Sequence, residues 1–297
     1  MTDMAAEIIS GKDIAAEIRA ELATEIVELN RKGVTPGLGV ILVGEDPASK
    51  SYVSAKEKAC KEIGIYSDDN RIPAETSQRD LIALIQEMND DAKIDGILVQ
   101  LPLPSHIDEQ EVLLCVSPEK DVDGFHPVSV GKMMLGQDTF LPCTPNGVVE
   151  MLIRKDVKLE GAHVVIVGRS NIVGKPLANL LVQKNSRGNA TVTVCHTRTK
   201  DMIQHTLKAD ILVAAAGRPE FITADMVPEG AVVIDVGVNR VEDSSKKRGY
   251  RLTGDVKFDE VSEKASMITP VPGGVGPMTI TMLLHSTVKS ARRRLPK

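Results

Sequence analysis

The chain has 297 residues and a net charge of −5, and its 42% hydrophobic and 26% charged residues are typical of a globular protein of one large or two ordinary domains. Aromatic residues account for only 2%. Because base stacking uses aromatic rings and phosphate binding uses a basic surface, we expect no nucleic-acid partner. No apolar run approaches the roughly 20 residues of a membrane-spanning helix, and residues 1–7 already contain acids, so we expect no membrane partner, no export signal and a cytoplasmic location.

The positions of the cysteines argue against a fold held together by disulfides or by a metal ion. The cysteines stand far apart without a C-x-x-C pair, at Cys60, Cys115, Cys143 and Cys195. We therefore expect neither a disulfide framework nor a metal site.

The first half of the chain alternates between helical and strand patterns. Apolar residues recur at helical spacing over 14–29, and a continuous apolar strand is predicted over 38–43. Two more helices are predicted over 49–60 and 81–88, and the next strand over 97–101. Strands that alternate with helices predict an α/β lobe with a parallel sheet.

A stretch rich in Pro and Gly separates this lobe from a second alternating region. Residues 118–145 show no clear period and predict a long loop, of the kind that is often functional. Beyond it we predict strands over 163–167, 191–196, 211–214 and 231–236, and helices over 174–184, 201–207 and 277–294. This alternation predicts a doubly wound, Rossmann-type nucleotide-binding lobe, so the expected fold is α/β with two lobes.

The sharpest local motif lies at the end of the strand over 163–167. That apolar strand runs into Gly168, and Gly174 stands where the next helix begins. Glycines there let the backbone approach a pyrophosphate, and the helix N-terminus adds positive potential. The spacing is G-x-S-x-x-x-G rather than G-x-G-x-x-G, so an ordinary strand–turn–helix stays open as the alternative to a dinucleotide site.

The residues after the next strand favour one dinucleotide. NAD enzymes of this fold usually place an acid there to hold the ribose hydroxyls. Here Thr197, Arg198 and Lys200 follow the strand without an acid, and Arg169 lies in the glycine turn. A hydroxyl and several cations suit a 2′-phosphate, so we expect NADP rather than NAD. The alternative is that Arg198 and Lys200 are solvent-exposed side chains at the start of the next helix, without a ligand.

Chemistry-bearing residues of the first lobe begin with Tyr52 and Lys56, which share one face of a predicted helix. Burial or a cationic neighbour would have to lower the pKa of Lys56 before it could act as a base at neutral pH. The pair alone is a common pattern that also describes a solvated helix face.

Three further segments favour a functional site. Gln100 places an amide at the carboxyl end of an apolar strand, where open α/β sheets bind ligands. Asp121 and Asp123 supply acids in a D-x-D-G segment that lacks the later oxygens of a calcium loop. Residues 269–277 hold three prolines and three glycines, which predict either a fixed shape with a cis X–Pro bond or a rigid linker.

Together these motifs resemble the bifunctional methylenetetrahydrofolate dehydrogenase/cyclohydrolase family. The matching segments keep the family's order over essentially the whole chain, at 52–56, 95–102, 120–125, 142–145, 168–174 and 270–279. The resemblance implies NADP-dependent oxidation of 5,10-methylenetetrahydrofolate to the 5,10-methenyl form, followed by hydrolysis to 10-formyltetrahydrofolate. It also implies tetrahydrofolate substrates as small-molecule partners, and a homodimer.

The resemblance also implies a domain division and site residues. A folate-binding catalytic domain would cover 1–146 and 277–297, with the C-terminal helix returning to the first lobe, and a Rossmann-type NADP domain would cover 147–276. The implied catalytic residues are Lys56 as the acid/base of hydrolysis, Gln100 as its hydrogen-bond partner, Tyr52 against the folate and Asp123 on the pterin ring. Further implied folate contacts are Val99, Leu101, Pro272, Gly273, Gly274, Val275, Gly276 and Pro277. The implied dinucleotide contacts are Gly168, Arg169, Ser170, Thr197 and Val238.

One departure and three alternatives accompany this assignment. Ser129 stands where family members commonly carry Asn, which concerns the shape of its loop rather than the chemistry. A dehydrogenase of the same fold without hydrolysis is disfavoured by Lys56 and Gln100. A non-catalytic folate- or nucleotide-binding regulator would not require the Tyr/Lys/Gln set, and a shikimate-type dehydrogenase is disfavoured by residues 270–277.

Overall fold

The computed structural model of the chain describes residues 6–246 and 249–295. These residues divide into two compact units. The first unit comprises residues 16–143 and the chain from residue 280 onward, and the second comprises the chain up to residue 15 together with residues 144–279.

The first unit is built on a small parallel sheet. Its strands are β2 (Gly37–Val43), β3 (Tyr66–Ile72) and β4 (Gly96–Val99), arranged in the order β3-β2-β4. Strand β2 is the central strand and is buried along its whole length, as expected for a parallel strand covered on both faces. The helices of this part of the chain are α1 (Gly11–Arg31), which begins in the second unit, α2 (Pro47–Ile63), α3 (Gln78–Asp90), α4 (Glu109–Leu114) and α5 (Pro127–Met134).

Local sequence signals explain where α2 begins and ends. The Asp46 side chain accepts a hydrogen bond from the N–H of Ser49, and Pro47 occupies the first turn, where its missing N–H costs nothing. Gly64 ends the helix in the left-handed conformation, and its N–H donates to the carbonyl of Cys60. These caps place Lys56 near the middle of a regular helix.

The second unit carries a larger parallel sheet. Its strands are β1 (Glu7–Ile8), β5 (His163–Val167), β6 (Thr191–Cys195), β7 (Ile211–Ala214), β8 (Val232–Asp235) and β11 (Met267–Ile268), in the order β1-β11-β8-β7-β5-β6. Strands β9 (Asn239–Glu242) and β10 (Tyr250–Thr253) form a separate antiparallel pair. The helices here are α6 (Cys143–Arg154), α7 (Gly174–Val182), α8 (Met202–Thr206), α9 (Phe258–Val261) and α10 (Val275–Arg292), with a 3-10 turn at Ala224–Met226. Strands β5 and β7 are almost continuously apolar and buried, as expected for parallel strands covered on both faces.

The predicted α/β architecture with a doubly wound second lobe is confirmed. Helix α10 begins at Val275, two residues before the predicted start, and its later part belongs to the first unit. There Ser290 Oγ donates to the carbonyl of Glu119, and Lys289 Nζ donates to the carbonyl of Thr139. The predicted return of the C-terminal helix to the first lobe is therefore also confirmed.

The prediction of one long loop over 118–145 is wrong. Helix α5 lies within it, and α6 begins before its end, at Cys143. Pro127 stands in the first turn of α5, and His126 Nδ1 accepts a hydrogen bond from the N–H of Val128. Eight residues that contain a Gly are too few to show a helical period, which explains the error.

Candidate active site

Lys56 and Gln100 meet although 44 residues separate them in the chain. The Nζ atom of Lys56, on α2, donates a hydrogen bond of 3.0 Å to Gln100 Oε1, just beyond the end of β4. The amide of Gln100 is oriented by its own Nε2, which donates to the carbonyl of Leu101 at 2.7 Å. The lysine amine is thus held by an oriented amide oxygen in the first unit.

Burial controls the protonation of Lys56. The side chain is only 8% exposed, and the loss of water around the ammonium lowers the pKa of Lys56 below its usual value. The negative charge of Asp123 opposes this effect and raises the pKa. Because burial is the larger effect, the neutral amine is more accessible than on an ordinary surface lysine.

Asp123 is the acid whose charge acts most strongly on the Lys56 amine. Burial raises the pKa of the Asp123 carboxyl, while the charge of Lys56 and a hydrogen bond with Cys143 lower it. The turn that carries it is held by Asp121, whose carboxylate accepts hydrogen bonds from the N–H groups of Phe125 (3.2 Å) and His126 (2.9 Å). Burial raises the pKa of Asp121 to about 6. The D-x-D-G segment therefore uses its first acid to shape the turn and its second to face Lys56.

Two buried thiols complete the surroundings of Lys56, and sequence reasoning missed both. Cys60 lies one helical turn after Lys56 on α2, and burial raises the pKa of its thiol to about 12. Burial and the neighbouring Asp123 raise the pKa of Cys143 well above its usual value, and its Sγ contacts the carbonyl oxygen of Val122 at 3.5 Å. The raised pKa values favour the uncharged form of both thiols, so neither competes with the amine for its proton.

The remaining predicted residues of the first unit differ in exposure. Tyr52 lies one turn before Lys56 on α2 and is 40% exposed, so its ring is open to a flat ligand. Val99 is buried at the end of β4, and Leu101 is half-buried. Ser129, where relatives commonly carry Asn, is buried within α5. The structure thus brings Lys56, Gln100 and Asp123 into one electrostatic cluster, with Tyr52 on the adjacent turn.

The glycine turn of the second unit has the predicted strand–turn–helix form. Strand β5 ends at Val167, and α7 begins at Gly174. Gly168 has a φ of 145°, and a side-chain Cβ there would lie 2.0 Å from the carbonyl oxygen of Ala215, so only glycine fits. Ser170 Oγ accepts a hydrogen bond from the N–H of Val173, while Arg169 stays exposed.

The turn after β6 carries the predicted hydroxyl and cations. The His196 N–H donates to Thr199 Oγ1 at 2.8 Å, and the Thr199 N–H returns a bond to the His196 carbonyl. Thr197 and Arg198 are exposed at the tip of this closed turn. No acid occupies the turn, so its chemistry fits a phosphate better than free ribose hydroxyls.

The other predicted segments of the second unit follow β8 and β11. Val238, three residues beyond β8, is 46% exposed. The Val271–Pro272 peptide bond is cis. The Gly273 carbonyl accepts a hydrogen bond from the N–H of Lys12 at the start of α1. Gly274 lies against Gly11, because a Cβ on Gly11 would come within 1.8 Å of the Gly274 carbonyl oxygen.

The described residues offer neither a metal cluster nor a membrane-spanning helix. Within 6–246 and 249–295, no group of three or more His, Cys, Asp or Glu side chains could hold a metal ion. Over the same residues, no helix is long and apolar enough to cross a bilayer.

One unit carries a doubly wound sheet with a glycine turn, and the other carries a buried lysine held by an amide; these features are typical of a dinucleotide-dependent enzyme. Family profiles identify it further. Residues 9–123 match the catalytic domain, and residues 142–295 match the NAD(P)-binding domain, of tetrahydrofolate dehydrogenase/cyclohydrolase. The chain belongs to the tetrahydrofolate dehydrogenase/cyclohydrolase family.

Individual relatives agree over nearly the full length. The bifunctional protein FolD of Geotalea uraniireducens is 57% identical over 289 residues, which cover 97% of this chain and 100% of that protein. The crystal structure of the FolD methylenetetrahydrofolate dehydrogenase/cyclohydrolase from Campylobacter jejuni is 49% identical, with a TM-score of 0.92 and coverage of 98% of this chain and 100% of that one. The FolD enzyme of Trypanosoma brucei, solved with NADP and an inhibitor, is 40% identical, with a TM-score of 0.92 and coverage of 98% of both chains.

These findings confirm the family resemblance, the bifunctional enzyme class and the dinucleotide cofactor. The roles of individual residues and the domain boundaries stay predictions.

Proposed function

We propose that this chain oxidises 5,10-methylenetetrahydrofolate with NADP⁺ to the 5,10-methenyl form and then hydrolyses that product to 10-formyltetrahydrofolate. The observation that carries this proposal is the buried Lys56 amine, held by Gln100 and faced by Asp123. Dinucleotide binding alone would need none of these three residues. The folate-binding domain proposed for them covers 1–146 and 277–297, and the NADP domain covers 147–276.

The oxidation step places modest demands on the chain. Hydride leaves a carbon flanked by two nitrogens, so the substrate itself stabilises the cation that forms. When bound, NADP⁺ supplies the hydride acceptor. The task of the protein is to orient the folate, with Asp123 accepting hydrogen bonds from the pterin amino and ring N–H groups and Tyr52 against the ring. The segment from Pro272 to Pro277 is proposed to line the same substrate.

The hydrolysis step requires proton movements that Lys56 suits. Water adds to the methenyl carbon, and the neutral amine of Lys56 accepts the proton that this water loses. The resulting ammonium gives a proton to the ring nitrogen as the bond from that nitrogen to the carbon breaks. The hydroxyl group of the adduct loses its proton to solvent water as its oxygen becomes the carbonyl of the formyl group, which stays on the other nitrogen. Burial lowers the pKa of Lys56, which favours the neutral amine that this step needs. Gln100 keeps the amine in place through both transfers.

NADP is proposed as the working cofactor on the basis of exposed cations. Arg169 in the glycine turn and Arg198 after β6 present guanidinium groups, with Thr197 adding a hydroxyl. Guanidinium groups pair well with phosphate, and each such charged hydrogen bond contributes about 1.5–3 kcal/mol. Gly168, Ser170 and Val238 are proposed as further contacts of the dinucleotide.

One spectrophotometric assay tests the function. With methylenetetrahydrofolate and NADP⁺, the methenyl chromophore should form and then disappear, and NADP⁺ should be preferred over NAD⁺. Replacing Arg198 with Ala should reduce that preference by about tenfold. The matched control is Lys158→Ala, an exposed cation in the loop before β5. Formation of the chromophore without its enzymatic loss would instead indicate a dehydrogenase that lacks hydrolysis.

Assembly and location are part of the same proposal. A homodimer through the second unit is supported by β6, the edge strand of the sheet, where Val194 is 36% exposed. A cytoplasmic location is supported by four cysteines that are all unpaired. Sedimentation of the wild type and of Val194→Lys tests the assembly, because an unchanged dimer in the variant would exclude this edge.

A further inference from the structure

Two buried carboxylates lie at the carboxyl end of β8. Asp235 is the last residue of this strand, and Asp255 follows two residues after β10. Their side chains are 3% and 0% exposed, and Asp235 Oδ1 accepts a hydrogen bond of 2.9 Å from the Asp255 N–H. Burying a carboxylate is costly unless hydrogen-bond donors surround it. The groups that donate to these two carboxylates therefore show which loops the carboxylates hold in place.

The Asp255 carboxylate holds the loop that follows β7. Its Oδ2 accepts hydrogen bonds from the backbone N–H groups of Ala216 (2.6 Å) and Gly217 (2.8 Å), and its Oδ1 accepts one from Arg218 (2.9 Å). Oδ1 also accepts a bond of 2.9 Å from Asn239 Nδ2, at the start of β9. Three consecutive N–H groups on one carboxylate restrict this loop to one backbone conformation.

Asp235 holds the backbone around Asp255 in place. Its Oδ1 accepts the N–H of Gly237, and its Oδ2 accepts the N–H of Val256, both at 2.9 Å. Its own N–H donates to Thr269 Oγ1 at 2.7 Å, just before the Pro- and Gly-rich segment. The chain passes so close that a Cβ on Gly254 would lie 1.8 Å from Asp235 Oδ2. The pair thus joins the loops after β7, β8 and β11.

The loop held by Asp255 forms one side of the glycine turn. The residue after β7 is Ala215, whose carbonyl oxygen is the atom that a Cβ on Gly168 would meet at 2.0 Å. Strands β5, β7 and β8 are neighbours in the sheet, so their carboxyl ends lie together. In doubly wound sheets this edge is where the dinucleotide binds.

We propose that Asp255, supported by Asp235, is a positioning residue for the dinucleotide, which acts by holding residues 215–218 against Gly168. The proposal rests on dinucleotide binding by the second unit, and it assigns no contact between either carboxylate and the cofactor. Loss of the Asp255 charge weakens its hydrogen bonds to the N–H groups of residues 216–218. The loop that contains these residues then adopts other conformations, in which the dinucleotide site beside Gly168 is narrower or wrongly shaped.

The competing explanation is that Asp255 serves only the stability of the fold. A purely structural role would lower the amount of folded protein, and with it every activity in proportion. A positioning role weakens dinucleotide affinity while leaving the hydrolysis of added methenyltetrahydrofolate, which consumes no dinucleotide, nearly unchanged. The two roles therefore differ in the ratio of two readouts on the same sample.

The experiment compares Asp255→Asn with the wild type and with Asp210→Asn. The asparagine keeps the size of the side chain, but its amide group points a donor at backbone donors. Asp210 Oδ2 accepts the His163 N–H at 2.7 Å and lies just before β7, at the opposite end of the same strand. The readouts are the NADPH dissociation constant from fluorescence titration and the rate of hydrolysis of added substrate without dinucleotide.

For Asp255→Asn we expect NADPH affinity to fall about tenfold or more, since bonds to a charged acceptor are lost, and hydrolysis to stay within about twofold. For Asp210→Asn we expect both readouts within about twofold of the wild type. Unchanged NADPH affinity in Asp255→Asn, or an equal loss of both readouts, would overturn the proposal. If the wild type itself failed to bind NADPH, the dinucleotide function would fall as well, which separates the two failures.

A second variant covers the case in which Asp255→Asn does not fold. Asn239→Ala removes one neutral donor and leaves the carboxylate and its three backbone partners in place. We expect a smaller loss of NADPH affinity, about two- to fivefold, with hydrolysis unchanged. NADPH affinity equal to that of the wild type in this variant would overturn the proposal.

Discussion

Replacing Lys56 with Met removes the amine on which the proposed hydrolysis depends while keeping a side chain of similar length. General acid–base catalysis by one positioned group contributes about 10²- to 10⁴-fold to a rate. At 1.36 kcal/mol for each tenfold change, the barrier to hydrolysis should rise by about 3–5 kcal/mol. The loss should appear in the rate at saturating substrate, because the amine acts on the reacting water.

The fold should tolerate this substitution. Burial disfavours the charge of Lys56, so an apolar side chain removes that cost, while Gln100 Oε1 loses its donor at 3.0 Å. Asp123 loses the nearby positive charge, so its pKa rises further. With these effects of opposite sign, we expect a change in the free energy of unfolding within about 2 kcal/mol.

The assay follows the loss of the methenyl chromophore from added substrate, above the uncatalysed rate. The matched control is Lys58→Met on the same helix, whose side chain is 79% exposed and whose Nζ lies 3.8 Å from Glu62. Hydrolysis by Lys56→Met within about tenfold of the control would refute the acid/base role, since that loss is below the range for such catalysis. NADP⁺ reduction by the same variant separates a damaged fold from a damaged hydrolysis step.

Two further predictions concern pH and stability. In Gln100→Leu the ammonium of Lys56 loses a hydrogen-bond acceptor, so the pKa of Lys56 falls further. The rise of the hydrolysis rate with pH should therefore move to lower pH. An unchanged dependence of this rate on pH would exclude a role of Gln100 in setting the pKa of the amine. Arg294→Met removes the guanidinium that lies 2.8 Å from the buried Asp95 carboxylate, which keeps the hydrogen bond from the Gly37 N–H. This change should lower the free energy of unfolding in urea by about 1–3 kcal/mol. The control Arg292→Met breaks a half-exposed pair with Glu25 and should cost less than about 1 kcal/mol, so equal losses would contradict the reasoning.

The spacing of apolar residues predicted the helices and strands whose buried side chains recur at regular intervals along the chain. Leu81, Ile85 and Met88 recur at helical spacing and belong to one buried cluster with Ile41 and Ile97 of the sheet, as the pattern of α3 indicated. Strand β3, with the sequence YSDDNRI, was missed because it is an edge strand with mostly half-exposed residues. Its strand conformation comes from backbone pairing with β2, which hydrophobic pattern does not report.

The amino-acid sequence by itself determined the alternation of strands and helices, the glycine turn and, through its motifs, the family and its two reactions. Those properties reside in residue types and in spacings along the chain. Only the tertiary structure decided that the buried Cys60 and Cys143 thiols belong to the surroundings of the Lys56 amine, and that Asp255 accepts hydrogen bonds from three consecutive N–H groups. Each of these contacts joins segments distant in the chain or depends on burial, and burial, which sets the pKa of Lys56, exists only once the chain has folded.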